Sequence, residues 1–433
     1  MQHNSSEDYN WRNNTLGDYV GVHNWDYELV EDFYQYAMHA RGAGRDPTST
    51  TVLKQEGNRL TIRVCEQDTH EVVDFGRYNY LGLAHHPEVM EGARKALERF
   101  GMSPSASPMS NGVLALHEEL SERLERLFGF EKVLLLSSGY NANMAAITGI
   151  MRQEDTVIMD HYCHPSLRDG VAGSTANKKF FGHNSPDSLE TRLKRVKNGA
   201  KLVVVEGLYS SEGDRPPLQE IVEVARRYDA RVMIDEAHSV GNFGANGGGT
   251  SELLGMRDQL DIFMGTFSKT FGGVGGFLGG SRELMEYLAV YGRAYMFSCA
   301  ISPVITGGLL GAVNVLEREG PERRRRLEEN GRFIRELLVG EGFNIAGSES
   351  HIIPIIFGAD NYVLDAGAMA WEMGIMPSVM VFPAVPRNAS RLRLFINSEH
   401  TREELTECVE ILKTIYHRFN IPLGGSQKVG ATV

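Results

Sequence analysis

The chain is sparing with cysteine: Cys65, Cys163, Cys299 and Cys408 are all it has in 433 residues. They are too scattered for a C-x-x-C pair or a disulfide framework, which fits a reducing cytoplasm and leaves no expected metal site. Long apolar runs are also missing. No window holds about 18 consecutive apolar residues, and the polar start MQHNSSEDYNWRNN lacks the basic and apolar regions of a signal peptide. The expectation is a soluble protein that is not exported and has no membrane span. Positive charge is short as well, with 44 Lys and Arg against 56 Asp and Glu and a net charge of −12. The one basic cluster, Arg323 to Arg326, lies between glutamates in GPERRRRLEE and reads as a solvated helix face, so no nucleic-acid partner is expected. What is abundant is ordinary: 42% hydrophobic and 23% charged residues, which excludes disorder for the bulk of the chain.

Length on a scale of roughly 100–200 residues per domain allows two or three domains, or one large domain with a lobe. Residues 1 to about 25 are polar and aperiodic, as is the tail 424–433, and both read as loose ends. A helix is expected from Asp26 to Ala43, and RLTIRVCEQDTHEVVDF alternates around a turn like a hairpin. These make an N-terminal arm, 1–84. From 85 to 304 amphipathic helices alternate with short apolar runs. HPEVMEGARKALERFG puts Val89, Ala93, Ala96, Leu97 and Phe100 on one face, and HEELSERLERLFG does so with Leu120, Leu124, Leu127 and Phe128. The runs VLLLSSG, DTVIMD, KLVVVEG, RVMIDEAH, DIFMGTFSK and GGFLGG lack alternation, so they predict strands buried on both faces of a mostly parallel sheet flanked by helices. Residues 305–423 read as a smaller C-terminal α+β domain.

Ligands of such sheets gather at the carboxyl ends of the strands, and the polar residues of this chain fall there. Ser137-Ser138-Gly139 follows VLLL, Asp160 follows VIM, Glu206 follows VVV, Asp235 to His238 follow VMI, and Ser268-Lys269 follows MGTF. Lys269 stands in GTFSKTFGGVGG, where neither the P-loop spacing nor G-x-G-x-x-G is met. It is either an exposed loop lysine or a lysine in an enclosed site that forms an imine with a carbonyl cofactor.

Pyridoxal phosphate would need a partner for each of its parts. Its ring nitrogen needs a buried carboxylate, for which Asp235 is the candidate. The ring face needs a flat neighbour, His164 in DHYCHPS or an aromatic such as Tyr140. The phosphate needs amides at a helix N-terminus, and Ser138, Gly139 and Tyr140 lie between a strand and the expected helix NANMAAITGIM. Ser210 and His238 stand where donors to the phenolic oxygen are wanted.

Taken together, NYLGL, SSGYNAN, DHYCHPS, VVVEGLYSSEGDRPPL, IDEAHSVGNFG, GTFSKTFGGVGG and RLRL resemble the α-oxoamine synthases, a branch of the fold type I pyridoxal-phosphate enzymes. The resemblance runs in order from about Tyr78 to about Thr401. It implies an α/β fold with a large and a small domain, and a homodimer with shared active sites. It makes Lys269 the Schiff-base lysine, Asp235 the ring-nitrogen partner, His164 the stacking residue, and Ser210 and His238 the phenolic-oxygen donors. Gly139, Tyr140 and Thr266 would hold the phosphate, with Ser298 resembling the segment through which a neighbouring subunit reaches it. Glu206 falls among the cofactor-binding positions. Asn79, Ser107 and Arg393 would face the substrates, Arg393 gripping a carboxylate. The implied reaction joins a small α-amino acid to an acyl thioester, on coenzyme A or a carrier protein, with loss of carbon dioxide and thiol.

One stretch departs from the family. Where relatives carry G-S-G-G-S-R-x-x-S-G, this chain has SPSASPMSNG, with Pro108 in place of the arginine. Proline brings neither charge nor amide donor. Ser107 stands where glycine-specific relatives tend to hold threonine, which points to an amino acid larger than glycine, such as alanine or serine. Two other readings are weighed: an aminotransferase of the same fold, and a non-catalytic partner subunit, against which Lys269 argues.

Overall fold

The computed structural model describes residues 14–19, 27–65 and 68–423. Most of the leading stretch and the tail 424–433, both expected to be loose, lie outside them. Within the leading stretch a single 3-10 turn, Leu16–Tyr19, is described, and Tyr19 packs edge-on against Phe33 at 5.4 Å between ring centroids. The expected first helix spans Tyr27–Gly42.

Packing divides the chain into Tyr78–Glu328 and a second unit made of Met1–Arg77 with Glu329–Val433. This differs from the arm and two domains expected at 84 and 304. The reason lies in strand pairing. β1 (Thr50–Glu56), β2 (Arg59–Val64) and β3 (Asp68–Phe75) form an antiparallel meander, and β3 pairs in parallel with a strand some three hundred residues later, aligning Val73 with Ile375. Arm and C-terminal strands therefore share one sheet. The other boundary falls inside the helix Pro303–Gly340, in which RFIRELLVG is only the last part.

The unit Tyr78–Glu328 holds β4 (Lys132–Leu136), β5 (Thr156–Asp160), β6 (Asn177–Phe181), β7 (Lys201–Glu206), β8 (Arg231–Asp235), β9 (Ile262–Thr266) and β10 (Gly276–Gly280). Their order is β4-β10-β9-β8-β7-β5-β6. β9, β8, β7, β5 and β6 are mutually parallel, whereas β10 runs against both β4 and β9. All six apolar runs are strands, and the inner ones are buried almost throughout. β6 was not anticipated. Its sequence NKKFF sits at the sheet edge with both lysines outside the core, where charge blocks pairing with another chain and erases the apolar signal.

The second unit continues with β11 (Ile352–Gly358), β12 (Ile375–Met380) and β13 (Ser390–Phe395), giving the order β1-β2-β3-β12-β13-β11. Its core gathers Phe75, Ile353, Ile355, Leu392, Leu394, Leu405 and Ile415. Among the described residues no helix is long and apolar enough to cross a membrane.

Two helix-face expectations change. Leu97 is exposed although it shares the predicted apolar face of the helix Pro87–Phe100. The basic cluster is not a solvated face: Arg324 is buried and donates from Nη2 to Ala245 O at 2.6 Å, and Arg323 donates from Nη1 to Leu81 O at 2.9 Å. Four consecutive helical residues sweep about 300° around the axis, so they cannot all face water.

Candidate active site

The parallel strands of the large sheet bring their carboxyl ends to one edge. Glu206 ends β7 and stands in register with Asp235, which ends β8. Both are buried. Asp235 accepts the Ala237 amide on Oδ1 at 2.9 Å and the Asn143 Nδ2 on Oδ2 at 2.8 Å. Both donors are neutral, so among the described residues this buried carboxylate is hydrogen-bonded without a cation in direct contact. Burial above all, and next the charge of Asp235, push the Glu206 carboxyl well above the usual carboxylate range, and the charge of Lys269 opposes them. Glu206 Oε1 accepts the His164 amide at 2.5 Å.

Next in the sheet is β9, whose last residue, Thr266, is buried, with half-buried Lys269 three residues beyond. The Lys269 carbonyl accepts the Gly272 amide at 3.0 Å, closing a turn for which Gly272 takes φ +68°. The chain then returns as β10, setting Gly276 between Thr266 and Leu136. A Cβ on Gly276 would lie 2.7 Å from both the Cα and the N of Gly139, so only glycine lets the strand approach the following helix so closely.

That helix, Gly139–Ile150, is capped by Ser138, whose Oγ accepts the Asn141 amide at 3.0 Å. Its first intrahelical bond runs from Ala142 N to Ser138 O, so the amides of Gly139 and Tyr140 precede it and form a ready anion cradle. Thr266 Oγ1 borders the cradle: a Cβ on Gly139 would come within 2.9 Å of it. Ser298 reaches the same turn within this chain, its Oγ 3.4 Å from Asn141 Nδ2. The Tyr140 hydroxyl is committed elsewhere, to Asp169 on the helix Pro165–Gly173.

His238 is buried, with Nδ1 2.7 Å from the Tyr80 hydroxyl. His164 is exposed and caps the helix Pro165–Gly173. Its Nδ1 receives the Ser166 amide at 3.2 Å and lies 2.7 Å from Ser166 Oγ. Ser210 sits in the loop after β7, which is closed by bonds from Tyr209 N to Asp214 O and from Gly213 N to Tyr209 O. His183 pins that loop to β5, with Nδ1 2.9 Å from Asp160 and Nε2 2.9 Å from Asp214. Burial alone would make His183 harder to protonate. The bonds to both carboxylates reverse this and raise its pKa to about 10, so it is an imidazolium clamp.

The substrate candidates are placed as follows. Asn79 Oδ1 caps its own turn by accepting the Ala84 amide at 3.1 Å. Ser107 precedes the short turn Pro108–Ser110, and its loop docks on the Ser298 segment through Ala300 N to Ala106 O at 3.0 Å and Ser302 Oγ to Met102 O at 2.6 Å. Arg393 belongs to the other unit, buried on β13 with its guanidinium 4.4 Å from the Phe395 ring centroid. Among the described residues no group of three His, Cys, Asp or Glu could hold a metal ion.

The donor set fits pyridoxal phosphate. A buried carboxylate bonded to two neutral donors suits a protonated ring nitrogen, and the glycine-lined helix start suits a phosphate. Sequence reasoning missed Tyr80, Asn143, Ser166 and His183. The first three lie inside motifs already singled out, where neighbours with more reactive side chains drew the attention. His183 lies beyond an edge strand that had not been anticipated.

Comparison with known proteins points the same way. Residues 70–412 match the family described as aminotransferase class I and II. The chain is similar to 4-hydroxy-2,2'-bipyrrole-5-methanol synthase of Serratia sp., 36% identical over 358 residues, covering 82% of this chain but only 54% of that longer protein. It is 34% identical over 378 residues to 8-amino-7-oxononanoate synthase of Bacillus pumilus, covering 85% of this chain and 96% of that one. Serine palmitoyltransferase from S. paucimobilis, solved with bound pyridoxal phosphate, superposes with a TM-score of 0.87 at 29% identity, covering 92% of this chain and 100% of that one.

Proposed function

This chain belongs to the class I and II aminotransferase family, in its α-oxoamine synthase branch, and from that premise we propose that it condenses a small α-amino acid with an acyl thioester. A carbon–carbon bond forms between the amino acid's Cα and the acyl carbonyl, the carbon–sulfur bond breaks to free the thiol, and the carboxylate departs as carbon dioxide. The product is an α-amino ketone. Pyridoxal phosphate is the cofactor, and when bound it supplies an electron-withdrawing ring that stabilises negative charge at Cα.

The chain's own groups bind, orient and move protons. Lys269 Nζ takes the proton from Cα and returns one to the product. Asp235 holds the ring nitrogen in its protonated form, and the neutral donors around it keep its negative charge for that contact. His238 and Ser210 hold the phenolic oxygen, the former steadied by Tyr80 and the latter by the loop that His183 clamps. His164 lies on the ring face. The amides of Gly139 and Tyr140, with the hydroxyls of Ser138, Thr266 and Ser298, hold the phosphate. Glu206, whose charged form burial disfavours, ties the His164 backbone to the strand beside Asp235. Asn79 and Ser107 face the substrates, and Arg393 grips the amino-acid carboxylate.

The observation that carries this reading is the buried Asp235 carboxylate, bonded to two neutral donors at a strand end one strand away from the one that leads to Lys269. The amino acid is alanine or serine in preference to glycine, on the strength of Ser107. The donor is an acyl group on coenzyme A or a carrier protein. A homodimer is supported by Phe297 and Met102, 77% and 69% exposed, which flank the segments bearing Ser298 and Ser107. The four free cysteines support a cytoplasmic setting.

The test is thiol and carbon dioxide release from purified protein given amino acids with short and long acyl thioesters. Release of both in equal amounts supports the reading. Amino transfer to a keto acid with no thiol freed overturns it in favour of an aminotransferase.

A further inference from the structure

A buried hydrogen-bond path joins Asp235 to His164. Asn143 is 1% exposed and donates from Nδ2 both to Asp235 Oδ2 at 2.8 Å and to Ser166 Oγ at 2.9 Å. Ser166, equally buried, places that Oγ 2.7 Å from His164 Nδ1. Asn143 leaves the helix Gly139–Ile150 and Ser166 the helix Pro165–Gly173, so the path bridges the cradle helix and the helix that His164 caps.

Every link has only one possible direction. A carboxylate accepts, so the Asn143 amide must turn its NH2 group towards Asp235; the flipped amide would set oxygen against oxygen. The second N–H of that group then points at Ser166 Oγ, which accepts it and has its own proton left to give. Among the described residues the one neighbour at hydrogen-bond distance for that proton is His164 Nδ1, which also receives the Ser166 backbone amide, a group that can only donate. With two donors aimed at Nδ1, the ring proton sits on Nε2. The cost of this arrangement is visible, because Asn143 Oδ1 is buried without a hydrogen-bond partner.

We propose that Asn143 and Ser166 are positioning residues forming a one-way relay from Asp235 to His164, so that the group facing the ring nitrogen and the group on the ring face act as one unit. The proposal rests on the cofactor reading given above, but its geometry belongs to the chain alone. The relay fixes the His164 ring plane and its tautomer, and it holds Asp235 at its Oδ2. A change in proton or charge at either end reaches the other through three hydrogen bonds.

The test is 15N NMR of the His164 ring in holoenzyme labelled at histidine, with His164→Asn supplying the assignment. Matched cofactor-stripped samples allow Asp235→Asn to be compared even if it retains cofactor poorly. The expected result is an Nε2–H ring in the unaltered chain, moved by Asp235→Asn. In a Ser166→Ala background the same Asp235→Asn change should no longer move the His164 signals. Ser166→Ala should lower kcat about tenfold with little change in KM, the size expected for one lost hydrogen bond, and Ser166→Thr, which keeps the hydroxyl, should restore most of it. An Nδ1–H ring in the unaltered chain overturns the proposal, with no variant needed. So does a response to Asp235→Asn that survives Ser166→Ala, or a Ser166→Thr variant as impaired as Ser166→Ala. None of these ring signals depends on thiol release, so a failed activity assay would sink the proposed reaction and leave the relay standing.

Discussion

Lys269 and Tyr80 show how differently single residues can be read. Lys269 announces itself by position, just past a buried strand, and its replacement removes chemistry from a half-buried turn and leaves the core packing intact. Lys269→Ala should abolish turnover and the borohydride-sensitive absorbance of the cofactor, with circular dichroism and melting temperature nearly unchanged. Tyr80 is fully buried and reads by sequence as packing, yet its hydroxyl meets His238 Nδ1 at 2.7 Å. Tyr80→Phe keeps the ring and removes the hydrogen bond to a buried imidazole, at a cost of about 1–3 kcal/mol. Steady-state kinetics should show kcat lowered about tenfold, and a kcat equal to that of the unaltered enzyme would show that His238 is oriented without it.

Elements carry what residues alone do not, and here that is the approach of β10 to the helix Gly139–Ile150. The glycines after Lys269 are legible in the sequence as backbone permissiveness, but only the structure shows that Gly276 meets the backbone of Gly139 and the Ser138 carbonyl, which cannot move aside as a side-chain tip would. Gly276→Ala should force the strand and the anion cradle apart, costing about 1–3 kcal/mol in thermal stability and weakening cofactor retention in equilibrium dialysis. Gly340→Ala is the control. Its Cβ would meet nothing within 4 Å at the end of the helix Pro303–Gly340, so stability should hold or rise by up to about 1 kcal/mol. The clamp at His183 is likewise a property of elements, joining the end of β5 to the loop after β7 through a residue that follows β6.

For the molecule as a whole, two histidines set opposite limits on stability with pH. His183, raised from 6.5 to about 10 by its carboxylates against the pull of burial, contributes fully below about pH 6.5 and loses that contribution as pH climbs to about 10. His400 is stacked 4.4 Å from Phe75, accepts the Asn397 amide on Nδ1 and lies with Nε2 3.0 Å from Asp74 O. Burial lowers its pKa to about 4. It must stay neutral to remain buried, so its contribution is full above about pH 6.5 and lost as pH falls to about 4. Melting temperatures from pH 4 to 10 should therefore fall on both sides of neutrality. His183→Gln should flatten the alkaline arm alone and His400→Gln the acid arm alone. A variant whose curve runs parallel to that of the unaltered protein would clear that histidine of the role.

By itself the sequence determined the class of the fold, the six apolar strands of the large sheet, the strand ends that carry polar chemistry and the family to which the motifs belong. Each of these is recorded locally, because burial on both faces leaves an unbroken apolar run and a ligand-binding turn leaves its residues in one short stretch. Tertiary structure alone decided that β3 would join β12, that Arg323 and Arg324 would turn inward, that His183 would find two carboxylates, and that Asn143 and Ser166 would connect Asp235 to His164. These contacts join residues far apart in the chain or depend on which face of a helix meets its neighbour. Neither leaves a spacing to read, since a hydrogen bond across a hundred residues requires only that the fold bring two ordinary polar side chains within about 3 Å.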